Sequence, residues 1–374
     1  MRAMQGLSLT YRISTKYEDA ERVLLNALSL ASDIQDGGIE LESDLLLNLG
    51  GLYLDQKKSD DAEKHFFKVT QLLQQFSTEA QRSLRIKGLE GLTAVHFQKG
   101  SLQAAETFLG QVIEHWRLHG GTECSEYLAA ENILGVIYRA QGELNSAALT
   151  CTRILSCQEE QLGLIHHESL RTLHNLAGVL VDRGQFSEAE VLYLREIHSL
   201  EEILGTENID TLRTVRLLAR AYYKADKMEN AVTIWKRVAE TSERSLGLAE
   251  ISTMESKFQL AKSLGRLGEH HEAIKLLMAL APYNMKILGY KHPISRGTRL
   301  LLANLSRRLG NSIRASALMG ELFDEIRMTS SHLANNGEGS VGGGSSSQRC
   351  YSCQWWTNRY RYFTKPNSSV LPNV

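Results

Sequence analysis

The sequence predicts an all-α fold, a right-handed superhelical solenoid of about eight helix pairs, and three periodic features carry that prediction. Alanine returns as Ala20, Ala62, Ala105, Ala147, Ala189, Ala231, Ala273 and Ala315, 42 residues apart except for one spacing of 43 after Ala62. Five residues before each alanine is a turn position, held by Gly100, Gly142, Gly184, Gly268 and Gly310, and by Thr15, Lys57 and Asp226 in the other copies. Eight residues before the turn stands Leu7, Leu49, Leu92, Leu134, Leu176, Leu218, Leu260 or Leu302, with a small residue directly after it in every copy. A short fixed period marks an array in which each unit buries its apolar face on its neighbours.

Taken in order, the units begin near residues 1, 43, 86, 128, 170, 212, 254 and 296, and the array is expected to span 1–331. Each unit reads as a helical hairpin. In the fifth, Leu173, Leu176, Ala177 and Leu180 share a helical stripe before Gly184, and Phe186, Ala189, Leu192, Tyr193, Ile197 and Leu200 share another that stops at Gly205. The recurring alanine and the small residue of the first helix are expected to let the two helices approach closely. Pro282, late in the second helix of unit seven, should shorten or bend it. Met1 falls at the first position of a repeat, which reads as a chain cut from something longer. Residues 332–348 have the composition of a Gly/Ser-rich linker, and 349–374 form an aromatic and basic tail, expected to be disordered.

Composition narrows the class. Four prolines in 374 residues suit continuous helix, and five cysteines without framework spacing suit a reducing compartment. With no signal peptide and no long apolar run, a cytoplasmic protein without membrane contact is expected. The net charge of -1 conceals a segregation: residues 1–211 carry 18 Lys and Arg against 31 Asp and Glu, whereas 212–310 carry 18 against 8. Such polarity can attract an acidic ligand to one end, or drive self-association through the oppositely charged ends.

Leu-Gly recurs at Leu162-Gly163, Leu204-Gly205, Leu246-Gly247 and Leu288-Gly289, and the last continues Tyr290-Lys291-His292-Pro293. With leucine, small residue, turn glycine and alanine at their offsets, the chain resembles the tetratricopeptide repeat in its long, 42-residue, kinesin light chain-like form, as found in fungal repeat proteins. The resemblance implies tetratricopeptide-type helix pairs whose first helices line a concave protein-binding groove. The His-Pro pair is complete only at His292-Pro293, and the asparagine before the first-helix leucine stands only at Asn48 and Asn175. No heptad coiled coil precedes the repeats, so motor binding is not implied.

Within unit six, Arg213, Arg216, Arg220 and Lys224 are spaced to share one helical stripe. Counted from the turn, these are the positions that the resemblance places in the groove. Equivalent positions carry Arg171, His174 and Asn175 upstream, then Lys262 and Arg266, then Asn304, Arg307 and Arg308. Cations aligned in a partly desolvated groove bind carboxylates by charge-assisted hydrogen bonds, so a protein or peptide with an acidic segment is the expected partner. For any one basic residue an ordinary solvated face explains as much; the alignment and the local charge carry the reading. Nucleic acid is the weaker reading, because no aromatics are interleaved for base stacking.

No metal site is expected. Glu269-His270-His271-Glu272 lacks a zinc-binding i, i+4 histidine pair, His166-His167 falls in a linker, and Cys350-x-x-Cys353 has no second pair. Cys151 sits on a core stripe, and Tyr193 and Trp235 share the position four after the alanine with Phe66, Leu109 and Leu277. With no phosphate loop, serine elbow or paired carboxylates, neither enzyme activity nor a cofactor is expected, and the chain reads as a non-catalytic interaction scaffold. Its rivals are the repeat sensor of a larger signalling NTPase of the NB-ARC/NACHT kind and a nucleic-acid-binding solenoid.

Overall fold

A computed structural model of the chain describes residues 2–14, 16–31, 38–75 and 78–310. The expected linker and tail, Thr15 and Ala315, with the second helix of the eighth pair, lie outside the described residues. The described part is an all-helical repeat fold of the solenoid class, without a strand among the described residues. It divides into two compact units between Gln158 and Glu159.

The first unit holds α1 (Arg2–Ile13), α2 (Tyr17–Ala31), α3 (Gly38–Asp55), α4 (Ser59–Leu72), α5 (Glu79–Gln98), α6 (Leu102–His119), α7 (Ser125–Gln141) and most of α8 (Leu144–Leu162). The second holds α9 (His167–Asp182), α10 (Phe186–Leu204), α11 (Ile209–Lys224), α12 (Met228–Leu246), α13 (Ile251–Leu267), α14 (His270–Tyr283) and α15 (Pro293–Arg308). Odd-numbered helices are the first members of the hairpins, even-numbered ones the second.

All seven described period alanines are fully buried, and the residue four later in each second helix is buried beneath them. Leu24, Phe66, Leu109, Cys151, Tyr193, Trp235 and Leu277 fill that place, so the large side chains are core. The close approach between hairpin helices lies one helical turn further along than the alanine itself. A Cβ on Gly50 would stand 2.7 Å from the Phe66 ring, and one on Gly135 would stand 2.9 Å from Cys151 Sγ. The small residue after the leucine therefore makes room for the side chain four past the alanine.

The turn is left-handed in every described copy. Gly100, Gly142, Gly184, Gly268 and Gly310 have φ between 78 and 101°, and Lys57 and Asp226 are held at φ 62 and 60°. A side chain there costs about 1–2 kcal/mol, so the backbone path of the hairpin outranks residue preference at these two positions.

Linkers between units repeat as well. Each Leu-Gly glycine takes positive φ, and Ser169 and Thr211 each donate a hydroxyl hydrogen bond back to the carbonyl of Gly163 or Gly205 at 2.9 Å. The next helix is then capped by a side-chain acceptor: His166 Nδ1 to the Glu168 amide, Asn208 Oδ1 to that of Asp210, His292 Nδ1 to that of Ile294. The His-Pro pair is thus a cap followed by a proline at the first helical turn, where its missing N–H costs nothing. Pro282 acts as expected. Helix α14 ends one residue after it, and a π-helical turn over Asn284–Leu288 carries the chain to the linker.

Candidate functional site

In the second unit, α9, α11, α13 and α15 are successive first helices and carry the residues singled out by sequence, several of which meet across one face. Side chains join these helices in series: α11 to α9 through Lys224 and Asp182 at 3.0 Å, and α11 to α13 through Arg220 and Glu255 at 2.5 Å. Phe258 of α13 lies where a Cβ on Gly297 of α15 would stand 2.7 Å from its ring, so glycine admits the aromatic edge between the two helices.

Charge on this face is interleaved rather than bare. Arg171 pairs with Glu168 and Arg213 with Asp210, each on its own helix, the second pair at 2.6 Å. Arg266 pairs with Asp226 at 2.5 Å while its guanidinium stands 4.7 Å from the centroid of the Tyr223 ring, and Lys262 Nζ stands 4.6 Å from the same centroid. Tyr223 therefore gathers two cations of the next first helix, α13, by cation–π attraction. Asn304, Arg307 and Arg308 are exposed at the last turns of α15.

Two of the expected residues build the face and do not stand free on it. Arg216 is buried, only 9% exposed. His174 places Nδ1 2.9 Å from Oε1 of the buried Glu196, which also accepts the Thr214 hydroxyl at 3.0 Å and so ties α9 and α11 to α10. Asn175 is half-buried beside them.

The carboxylates Asp182, Asp226 and Glu255 and the aromatic rings of Tyr223 and Phe258 escaped sequence reasoning. Their signal was present: Glu255 occupies in α13 the column that Arg213 occupies in α11, and Asp182 occupies that of Lys224. Comparison of columns between neighbouring repeats would have shown opposite charges meeting.

What the arrangement can do follows from exposure. Arg220 and Glu255 retain 33 and 30% of their side-chain surface, and Lys224 and Asp182 retain 45 and 28%. Pairs this wet contribute about 0–1 kcal/mol each, so an incoming carboxylate can replace the resident one at small cost. Among the described residues no three or more His, Cys, Asp or Glu stand together as a metal site. None of the described helices is long and apolar enough to cross a membrane.

Comparison with known proteins agrees with the repeat pattern. Residues 169–210, one full period, match the tetratricopeptide repeat family model. The structure is similar to the Podosopora anserina putative kinesin light chain nearly identical TPR-like repeats, at 24% identity and a TM-score of 0.50, covering 54% of this chain and 96% of that one. It is similar also to the quorum sensor NprR of B. thuringiensis in its apo form, at 14% identity and 0.50 over 87 and 98% of the two chains. A third likeness is aspartyl phosphate phosphatase F of Bacillus subtilis, at 14% identity and 0.54 over 92 and 95%. At these identities the likenesses bear on the fold alone. Curated protein sequences contain no match.

Proposed function

For a tetratricopeptide repeat protein of kinesin light chain-like type, we propose a role as a non-catalytic protein-interaction scaffold whose first-helix face over α9–α15 binds an acidic peptide or protein segment. One observation carries this reading: cations recur on successive first helices as Arg213, Arg220, Lys224, Lys262, Arg266, Arg307 and Arg308, and four of them, Arg220, Lys224, Lys262 and Arg266, meet side chains of the neighbouring repeat. Their resident counter-charges are wet enough to exchange, and Tyr223 and Phe258 supply apolar contact between the cations. Carboxylates of an extended segment would meet these guanidinium and ammonium groups in series, which sets direction and register more than raw affinity.

The test uses the full chain and a fluorescent acidic peptide with interspersed leucines, read by anisotropy. Binding is expected to fall at least tenfold, about 1.4 kcal/mol or more, in Arg220→Glu/Arg266→Glu/Arg308→Glu. The three positions retain enough solvent contact for the fold to survive, which unchanged circular dichroism would verify. Arg216→Glu is unsuitable, because it would bury a carboxylate. Equal binding by the variant, or displacement of the peptide by single-stranded RNA at lower concentration than by unlabelled peptide, overturns the proposal.

A further inference from the structure

A different surface, in the first unit, invites a ligand of the opposite character. Between the N-terminal halves of α3 and α5 runs a cleft of about 340 Å³ lined by Glu40, Leu41, Asp44, Ala80, Ser83, Leu84 and Lys87. Glu40 and Asp44 are one helical turn apart and put two carboxylates along one wall, as i, i+4 residues must. Leu41 and Leu84, partly buried against the core, give the cleft apolar flanks. Ser83 and Lys87 stand one turn apart on the α5 wall, where Lys87 supplies the single cation of the lining. Such a site calls for a segment that alternates cations with flat apolar groups.

The chain carries one such segment. Residues 349–374 hold Arg349, Arg359, Arg361 and Lys365 with Trp355, Trp356, Tyr360, Tyr362 and Phe363, and contain no acidic residue. We propose that the cleft between α3 and α5 is the docking site of this chain's own C-terminal segment, Arg359 and Arg361 facing Glu40 and Asp44 and an adjacent aromatic ring entering between Leu41 and Leu84. The basic face over α11–α15 would repel a segment of this charge, whereas residues 1–211, with 31 acidic side chains against 18 basic ones, attract it. The 38 residues from 311 to 348 can span at most about 130 Å when extended. Docking in the same chain also gains from a high effective concentration. The proposal does not depend on the acidic ligand inferred for α9–α15.

Hydrogen exchange on the full chain tests it. Arg359→Glu/Arg361→Glu is expected to speed amide exchange severalfold over residues 40–44 and 80–87 with circular dichroism unchanged, and Glu40→Lys/Asp44→Lys to expose the tail to the same degree. Combining all four substitutions reverses both partners and is expected to restore protection on each side. Exchange over 40–44 and 80–87 that ignores the tail reversal, or a fourfold variant no better protected than either pair alone, overturns the proposal. So does protection that vanishes on hundredfold dilution, which would assign the cleft to the tail of a second copy.

Discussion

Gly50→Ala should destabilise the protein although it improves helix propensity, and the structure supplies its own control. A Cβ at Gly50 would lie 2.7 Å from two atoms of the Phe66 ring and 3.0 Å from a third. Phe66 is fully buried, so the ring cannot retreat without moving the hairpin core. Overpacking of this kind costs about 1–3 kcal/mol, against which alanine returns about 1 kcal/mol of helix propensity. Gly110, inside α6, meets nothing within 4 Å and is exposed, so Gly110→Ala gains the propensity with no clash. Since the propensity gain is common to both, the difference between the variants isolates the clash, about 1–3 kcal/mol. Urea denaturation followed by helical circular dichroism measures it on the full chain. Phe66→Leu in the Gly50→Ala background should recover part of the loss, a positive coupling in a double-mutant cycle. If Gly50→Ala is as stable as Gly110→Ala, the small residue after the leucine is not what sets the hairpin spacing, and the packing argument fails.

Further outcomes follow from the same geometry. Lys57→Gly, which relieves a side chain at φ 62°, should stabilise the chain by about 0.5–1 kcal/mol, and Gly184→Ala at the equivalent turn should cost about 1 kcal/mol; urea midpoints that move the other way refute the left-handed turn. Burial holds the imidazoles of His65, His115 and His166 below their ordinary value, so the folded state prefers them neutral. The unfolded chain takes up those protons near pH 6.5, so their contribution is complete above that pH and is lost as pH falls through it toward the lowered folded values. His166→Asn, which places at α9 the cap that Asn208 provides at α11, should keep the helix start and flatten part of the slope between pH 7.5 and 5.5. The Cys151 thiol, buried and pushed up to about 12, should resist iodoacetamide at pH 8 while the half-buried Cys124 and Cys157 react; equal alkylation by mass spectrometry would contradict its place in the core.

The hairpins, their turns and the core positions were legible in the sequence because an array states each structural demand once per period. Ala189, Tyr193 and Gly184 could be read from their counterparts before any contact was known. Chemistry that depends on which residues meet across neighbouring helices was not legible. Arg220 alone looks like a free cation, and only the position of Glu255 on the next first helix shows that it is paired. Arg216 has the same spacing signal as Arg220 but turns inward, since a period of 3.6 residues places it at the margin of the buried stripe. The caps at His166 and His292 hid behind a linker motif, because a side chain that accepts a backbone hydrogen bond leaves no pattern of hydrophobicity.

The pairing of Arg220 with Glu255, Lys224 with Asp182 and Arg266 with Asp226 changes the ion traffic of the proposed binding event. When a bare cation stripe meets an acidic chain, small ions condensed on both are set free, and affinity falls steeply as salt rises. Here each arriving carboxylate would evict one that the protein already holds. The evicted group would then collect the sodium ion that the ligand gave up, so the net number of ions released per contact would approach zero. The face would therefore hold an acidic segment over a wider range of ionic strength than its cation count suggests, and would discriminate by shape and register where a simple polycation discriminates by charge.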